Sequence, residues 1–86
     1  MKKLQLELIP TELIRGVGEV LTFGADKYSP RGWDDVDKAK YIGSMLRHTL
    51  SYLEDNKSLD SESGYSHLKH LACNVAILLS KEEELK

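Results

Sequence analysis

Apolar residues return at three- and four-residue intervals in three stretches of this chain, and turn-forming residues separate the stretches. From Thr11 to about Lys27, Leu13, Val17, Val20, Leu21 and Gly24 share one helical face, with Ile14 and Tyr28 beside them. Thr11 is placed to cap this first helix. Pro30 and Gly32 then punctuate a turn, and Asp37 is a good N-cap for a second helix from Lys38 to about Asp55. Its stripe is Ile42, Met45, Leu46, Thr49, Leu50 and Leu53. Tyr41, His48 and Tyr52 lie on one shoulder, Arg47 and Glu54 on the other. A turn rich in Ser and Asp, Asn56 to Gly64, precedes a third helix from about Tyr65 to Glu84, with Leu68, Leu71, Val75, Leu78 and Leu79 as its main stripe. Ahead of all three, Leu4, Leu6 and Leu8 alternate with Lys3, Gln5 and Glu7, which predicts a short extended arm over residues 1–10 that ends at Pro10. The expected fold is all-α, one small domain of three helices with an extended N-terminal arm.

The third helix departs from a simple amphipathic pattern. Cys73 and Ile77 lie well away from its main stripe, so Leu71–Leu79 is apolar almost all round. A three-helix monomer leaves one side of it wet, and a chain of 86 residues buries only a marginal core. Packing of the helices in a homo-oligomer is the simplest remedy. Gly16, Gly18 and Gly24 each cost roughly 1 kcal/mol relative to Ala in a helix interior. They therefore predict close approach, of another helix or of a ligand, and packing is the plainer use.

Composition narrows the function. The chain is 41% hydrophobic and 30% charged, which is globular rather than disordered. Twelve basic against 14 acidic side chains, a formal net charge of -2, give no uniform basic field and argue against duplex nucleic acid as a partner. A local basic pocket for a small anion remains open. The start MKKLQLELIP meets Glu7 and Pro10 too early for the apolar region of a signal peptide. No apolar run approaches the ~20 residues needed to span a bilayer, so no membrane partner and a cytoplasmic setting are expected. Cys73, the only cysteine, excludes a disulfide within the chain and reads as a buried small hydrophobe.

Candidate chemistry concentrates in two places. His67, His70 and Asn74 stand three and four residues apart, on one face beside the apolar stripe, and resemble the lining of a small polar pocket. Arg31 and Trp33 share a turn with Tyr28 and Lys27, where a guanidinium suits phosphate and a ring suits a base. Arg47 and His48 add donors from the second helix. Ser61, Ser63 and the backbone N–H groups near Gly64 add the expected start of the third, whose dipole favours negative charge. Together they suit a nucleotide.

A metal is the other possibility, with His48, Asp60, Glu62, His67 and His70 as possible ligands. The paired carboxylates of a helical metal-dependent hydrolase are missing, since Glu12 and Glu19 are seven apart and Glu54 and Asp55 adjacent. Each residue also has a plainer use. Trp33 can plug the domain, Arg31 can be a solvated charge, His48 can be a satisfied edge histidine, and Asp60 and Glu62 can serve the start of a helix.

Three segments, LELIPTELIRGVGEVLTFGADKYSPRGW, YIGSMLRHTLSYLEDN and DSESGYSHLKHLACNVAILL, together resemble the phage dATP/dGTP diphosphohydrolase N-terminal domain family over nearly the whole chain. The opening L-x-L-I-P, the F-G-A-x-K-Y segment ending in Trp, L-R-H, and D-x-E-S-G-x-x-H-x-x-H carry the likeness. Gly32 stands where Asn is more usual and Ser66 where Pro is common. The resemblance implies nucleotide chemistry and points to Arg31, Trp33, Arg47, His48, Glu62, Ser63, His67, His70 and Asn74, beside Tyr28. Small helical phage proteins of this kind also resemble the anti-CBASS and anti-Thoeris sponges, which hold cyclic nucleotide immune signals between subunits without cleaving them.

The missing carboxylates favour that second outcome. The expectation is a cyclic di- or oligonucleotide sequestered in the host cytoplasm for immune evasion, with no catalytic residue, metal or cofactor. One alternative is Mg²⁺-dependent hydrolysis of a purine deoxynucleoside triphosphate, with Glu54, Asp60, Glu62 and His67 as metal or base groups. The other is a structural module that docks a protein partner through the third helix.

Overall fold

The computed structural model describes residues 2–84; Met1, Leu85 and Lys86, the ends of the single expected domain, lie outside the described residues. Three helices carry the fold: α1 (Thr11–Lys27), α2 (Lys38–Glu54) and α3 (His67–Glu84). The all-α expectation holds. Among the described residues there is no strand, only an isolated antiparallel bridge between Leu59 and Ser66.

The helix ends differ in detail from the sequence expectation. Thr11 is the first residue of α1 rather than its cap; Pro10 takes the N-cap position, with its fixed φ and no N–H to leave unsatisfied. Asp37 does occupy the N-cap of α2, but its side chain makes no capping bond. α3 starts at His67, two residues later than Tyr65. Ser66 caps it, its hydroxyl accepting from the Lys69 N–H at 3.3 Å. The arm carries one 3-10 turn at Leu6–Leu8 in place of a regular strand, and Leu4, Leu6 and Leu8 are all exposed.

α3 packs against both α1 and α2 and forms the floor between them. The buried core is small: Val20 from α1 with Cys73 and Ile77 from α3, flanked by Leu21, Trp33, Tyr41 and Tyr65. Gly16 lets α1 approach α3. A Cβ there would stand 3.0 Å from the Lys69 stem, whose ammonium reaches Glu19 at 2.8 Å. Gly18 and Gly24 meet nothing within 4 Å, so within one chain the close-approach reading holds for Gly16 alone.

The inward faces are not the expected ones. α3 turns His67, Cys73, Asn74 and Ile77 inward, while Leu68, Val75 and Leu79 of its predicted stripe are exposed. α2 presents Tyr41, Ser44 and His48 to the interior side, and Ile42, Leu46, Leu50 and Leu53 face out. The periodicity located the helices correctly. It named the wrong face as the core of a single chain, because the most apolar arc and the arc that packs within the chain are different arcs.

Candidate functional site

The turn before α3 builds the polar end of the site. The Asp60 carboxylate accepts from the Glu62 N–H at 3.1 Å and the Ser63 N–H at 2.9 Å, and the Asp60 carbonyl accepts from the Gly64 N–H at 2.9 Å. Gly64 has φ +78, the left-handed region that glycine enters without a Cβ penalty. The chain then doubles back, with the Asp60 N–H donating to the Tyr65 carbonyl at 2.8 Å. This fold-back delivers Asp60 and Ser63 to the histidines of α3.

Three imidazoles converge there. His48 Nδ1 of α2 lies 2.8 Å from His67 Nδ1, and the His48 ring stacks on His70 with centroids 4.5 Å apart and planes 11° from parallel. Ser63 Oγ accepts from the Tyr65 N–H at 3.1 Å and meets His70 Nε2 at 2.6 Å. Asp60 Oδ2 is 3.7 Å from His70 Nε2. Burial is the main cause that lowers the pKa of His48 and of His70, with neighbouring imidazoles adding to it, so both favour the neutral form. Burial by itself would raise the Asp60 carboxyl. The donors from Ser63, the His70 ring and the Glu62 N–H outweigh it and hold Asp60 below the usual carboxylate range.

His48, His70 and Asp60 lie at one end of an open recess of about 910 Å³ between α1 and α2, within the ~300–1,000 Å³ typical of small-molecule sites. Tyr28, Arg31, Trp33, Arg47, Glu62 and Asn74 line it as well. The structure thus gathers most of the sequence-predicted residues around one space. Two stand apart from it: His67 lines a shallower hollow on the other side of His48, and Ser63 supports His70 from behind.

Several of these residues have structural employment. Trp33 is half-buried against the core, its carbonyl accepts from the Tyr41 hydroxyl at 3.0 Å, and the Arg31 guanidinium covers its ring at 4.6 Å. It is the plug that the plainer reading foresaw. Arg31 itself sits in the left-handed region at φ 57, ψ 22, which costs a residue with a Cβ about 1–2 kcal/mol. Tyr28 borders the recess and is 74% exposed, with the Lys27 ammonium over its ring at 5.1 Å from the centroid. Asn74 donates to Ser44 Oγ at 3.2 Å and so ties α3 to α2. Glu62 is paired with the Lys27 ammonium, which bridges the end of α1 to the turn; that bond raises the Lys27 pKa. Arg47 is exposed and takes no part in the ion pairs among the described residues. Its Nη1 lies over Gly43, 3.3 Å from where a Cβ would stand. Cys73 is buried and its thiol is pushed up to about 11, so it is no nucleophile.

Lys40 and Ser44 also line the recess and were not singled out in the sequence. Tyr41, Ser44 and His48 recur three and four residues apart, the same signal that marked His67, His70 and Asn74. The leucine stripe of α2 outweighs that signal in the sequence, where Tyr41 and His48 lie on its shoulder. Of the residues considered for magnesium, Asp60 and His67 come together and Glu54 stays exposed at the end of α2. Magnesium takes oxygen ligands in near-octahedral geometry. A grouping of imidazoles around a single carboxylate does not fit it.

No described helix is long and apolar enough to cross a membrane. No curated protein and no solved structure matches the chain. The family model described as "dATP/dGTP diphosphohydrolase, N-terminal" matches residues 1–86. Its match covers every segment that carries the recess, from the Lys27–Trp33 turn to the Asp60–His70 fold-back, and the chain therefore belongs to the dATP/dGTP diphosphohydrolase N-terminal domain family.

Proposed function

We propose that this domain binds a purine nucleotide in the recess above α3, with phosphate toward Arg47 and the base toward Tyr28. One observation carries the reading. The same open space is lined by an exposed guanidinium, an exposed aromatic ring and neutral imidazoles, which match the phosphate, the π-face and the polar edge of a nucleotide. Lys27, Lys40 and Arg31 add positive charge from α1, α2 and the turn between them.

The ligand is held rather than cleaved in this proposal. The support is the carboxylate inventory of the recess: Glu62 is paired with Lys27, Asp60 is engaged by backbone donors, and no facing pair of carboxylates completes a magnesium site among the described residues. A cyclic di- or oligonucleotide immune signal fits a recess this large, with Arg31, Lys40 and Arg47 on its lining, and sequestering it in the host cytoplasm would serve a phage in evading defence. The chain acts as a homo-oligomer in this reading. Exposed leucines on α2 and α3 supply the contact, and a neighbouring copy closes the open side of the recess.

The second reading is hydrolysis of dATP or dGTP to monophosphate and pyrophosphate, favoured by family membership. Incubation of the protein with dATP, dGTP or a cyclic di-purine nucleotide, with and without divalent ions, followed by denaturation and chromatography, separates the two. Intact nucleotide recovered in stoichiometric amount is the expected result. Pyrophosphate accumulating over many turnovers replaces sequestration with catalysis, and a chain that neither retains nor cleaves any nucleotide sinks both.

A further inference from the structure

The convergence of imidazoles around Asp60 asks for more than a nucleotide edge. His48, Asp60 and His67 each offer one ligand atom, and these atoms lie within 4.8 Å of one another. They come from three separate parts of the fold, α2, the fold-back turn and the start of α3, which is how chains assemble metal sites rather than how a lone buried histidine is satisfied. We propose that His48, Asp60 and His67 bind a divalent transition ion of the zinc and cobalt class.

The geometry is close to what such an ion requires. Two nitrogens bound at 2.0–2.1 Å in a tetrahedral centre stand about 3.3 Å apart. The two Nδ1 atoms are 2.8 Å apart and already face each other, so a parting of about half an ångström would admit the ion between them. Both rings are constrained: His67 is 8% exposed, and His48 is stacked against His70. His70 and Ser63 stand behind the set, with Ser63 Oγ fixing the His70 ring 3.7 Å from Asp60. Three protein ligands leave one position open, and the shallower hollow is the space that all three ligands border, with Arg47 beside them. His48 and His67 bring their Nδ1 atoms together, and a third imidazole is stacked on His48; an ion gives the two facing nitrogens a common partner.

This inference does not rest on nucleotide binding, and its test contains no nucleotide. The full chain, freed of metal with a chelator, is titrated with Zn²⁺ and with Co²⁺ by calorimetry, and the visible spectrum of the Co²⁺ form is recorded. One ion per chain is expected, with a Co²⁺ spectrum of nitrogen–oxygen coordination and a higher Tm. Asp60→Asn and His67→Gln should each weaken binding by more than roughly tenfold, since removal of a supporting group alone costs that much. Glu7→Gln, an exposed carboxylate of the N-terminal arm, should bind as the parent does. Circular dichroism establishes that each variant keeps its helices. Absence of stoichiometric binding by the folded parent chain overturns the proposal. So does undiminished affinity in folded Asp60→Asn and His67→Gln. A chain that binds metal but retains no nucleotide leaves this inference intact and removes the nucleotide reading; the reverse result does the opposite.

Discussion

Ser63 gives one hydroxyl two tasks: it accepts from the Tyr65 N–H and meets His70 Nε2 at 2.6 Å. Neighbouring positions are equally specialised. Asp60 organises the turn, Gly64 supplies the positive φ, Ser66 caps α3, and His67 and His70 face inward from its first turn. Arg47 is the exception, a guanidinium with no structural employment beside the recess. Arg47→Ala should leave Tm nearly unchanged and weaken nucleotide retention by about 1.5–3 kcal/mol, the range for a charge-assisted hydrogen bond. Equilibrium binding beside a melting curve checks it, and a folded variant that retains nucleotide as before places the phosphate elsewhere. Gly64→Ala acts in the other direction. It forces a Cβ into the left-handed region and should cost about 1–2 kcal/mol of stability, measurable by urea unfolding.

At the scale of elements, the α2–α3 seam is polar where most helical seams are oily. His48, His67 and His70 meet across it, with Asn74 and Ser44 bonded one turn further on. This makes the seam sensitive to acid. Unfolded imidazoles take up a proton near pH 6.5, whereas His48 and His70 resist protonation in the fold. The unfolded chain therefore binds more protons below that pH, and stability should be full above about pH 7 and decline as pH falls toward 5. A series of chemical melts across that interval, repeated on His70→Gln, tests it: the slope should be shallower in the variant. α1 offers an independent check. Nothing lies within 4 Å of a Cβ at Gly18, so Gly18→Ala should raise stability by up to about 1 kcal/mol through helix propensity. A loss of stability there would mean that a neighbouring copy packs on that face.

For the whole molecule, the imbalance between core and surface decides the outcome. Among the described residues Val20, Cys73 and Ile77 form the buried apolar core, where full burial of a Val or Ile contributes about 1.5–3 kcal/mol, while Ile42, Leu46, Leu50 and Leu53 line one exposed face of α2, with Leu53 75% exposed. Light scattering after size exclusion should find more than one copy per particle. Leu46→Glu with Leu50→Glu should return a monomer of lower Tm and weaker nucleotide retention. A wild-type monomer at micromolar concentration would remove the oligomer from the proposal.

The sequence by itself determined the three helices to within about two residues at their ends, the inert character of Cys73 and the inward polar face that places His67, His70 and Asn74 on α3. Those features depend on local spacing and residue chemistry, which are written along one dimension. Tertiary structure decided which face of each helix turns inward, that Asp60 joins His48 and His67, that Glu62 is spent on Lys27, and that Trp33 packs against the core while Tyr28 stays exposed. The physical reason is common to all four. They depend on how segments far apart in sequence come to lie together, and a leucine stripe reads the same whether it meets a helix of its own chain or faces away from it.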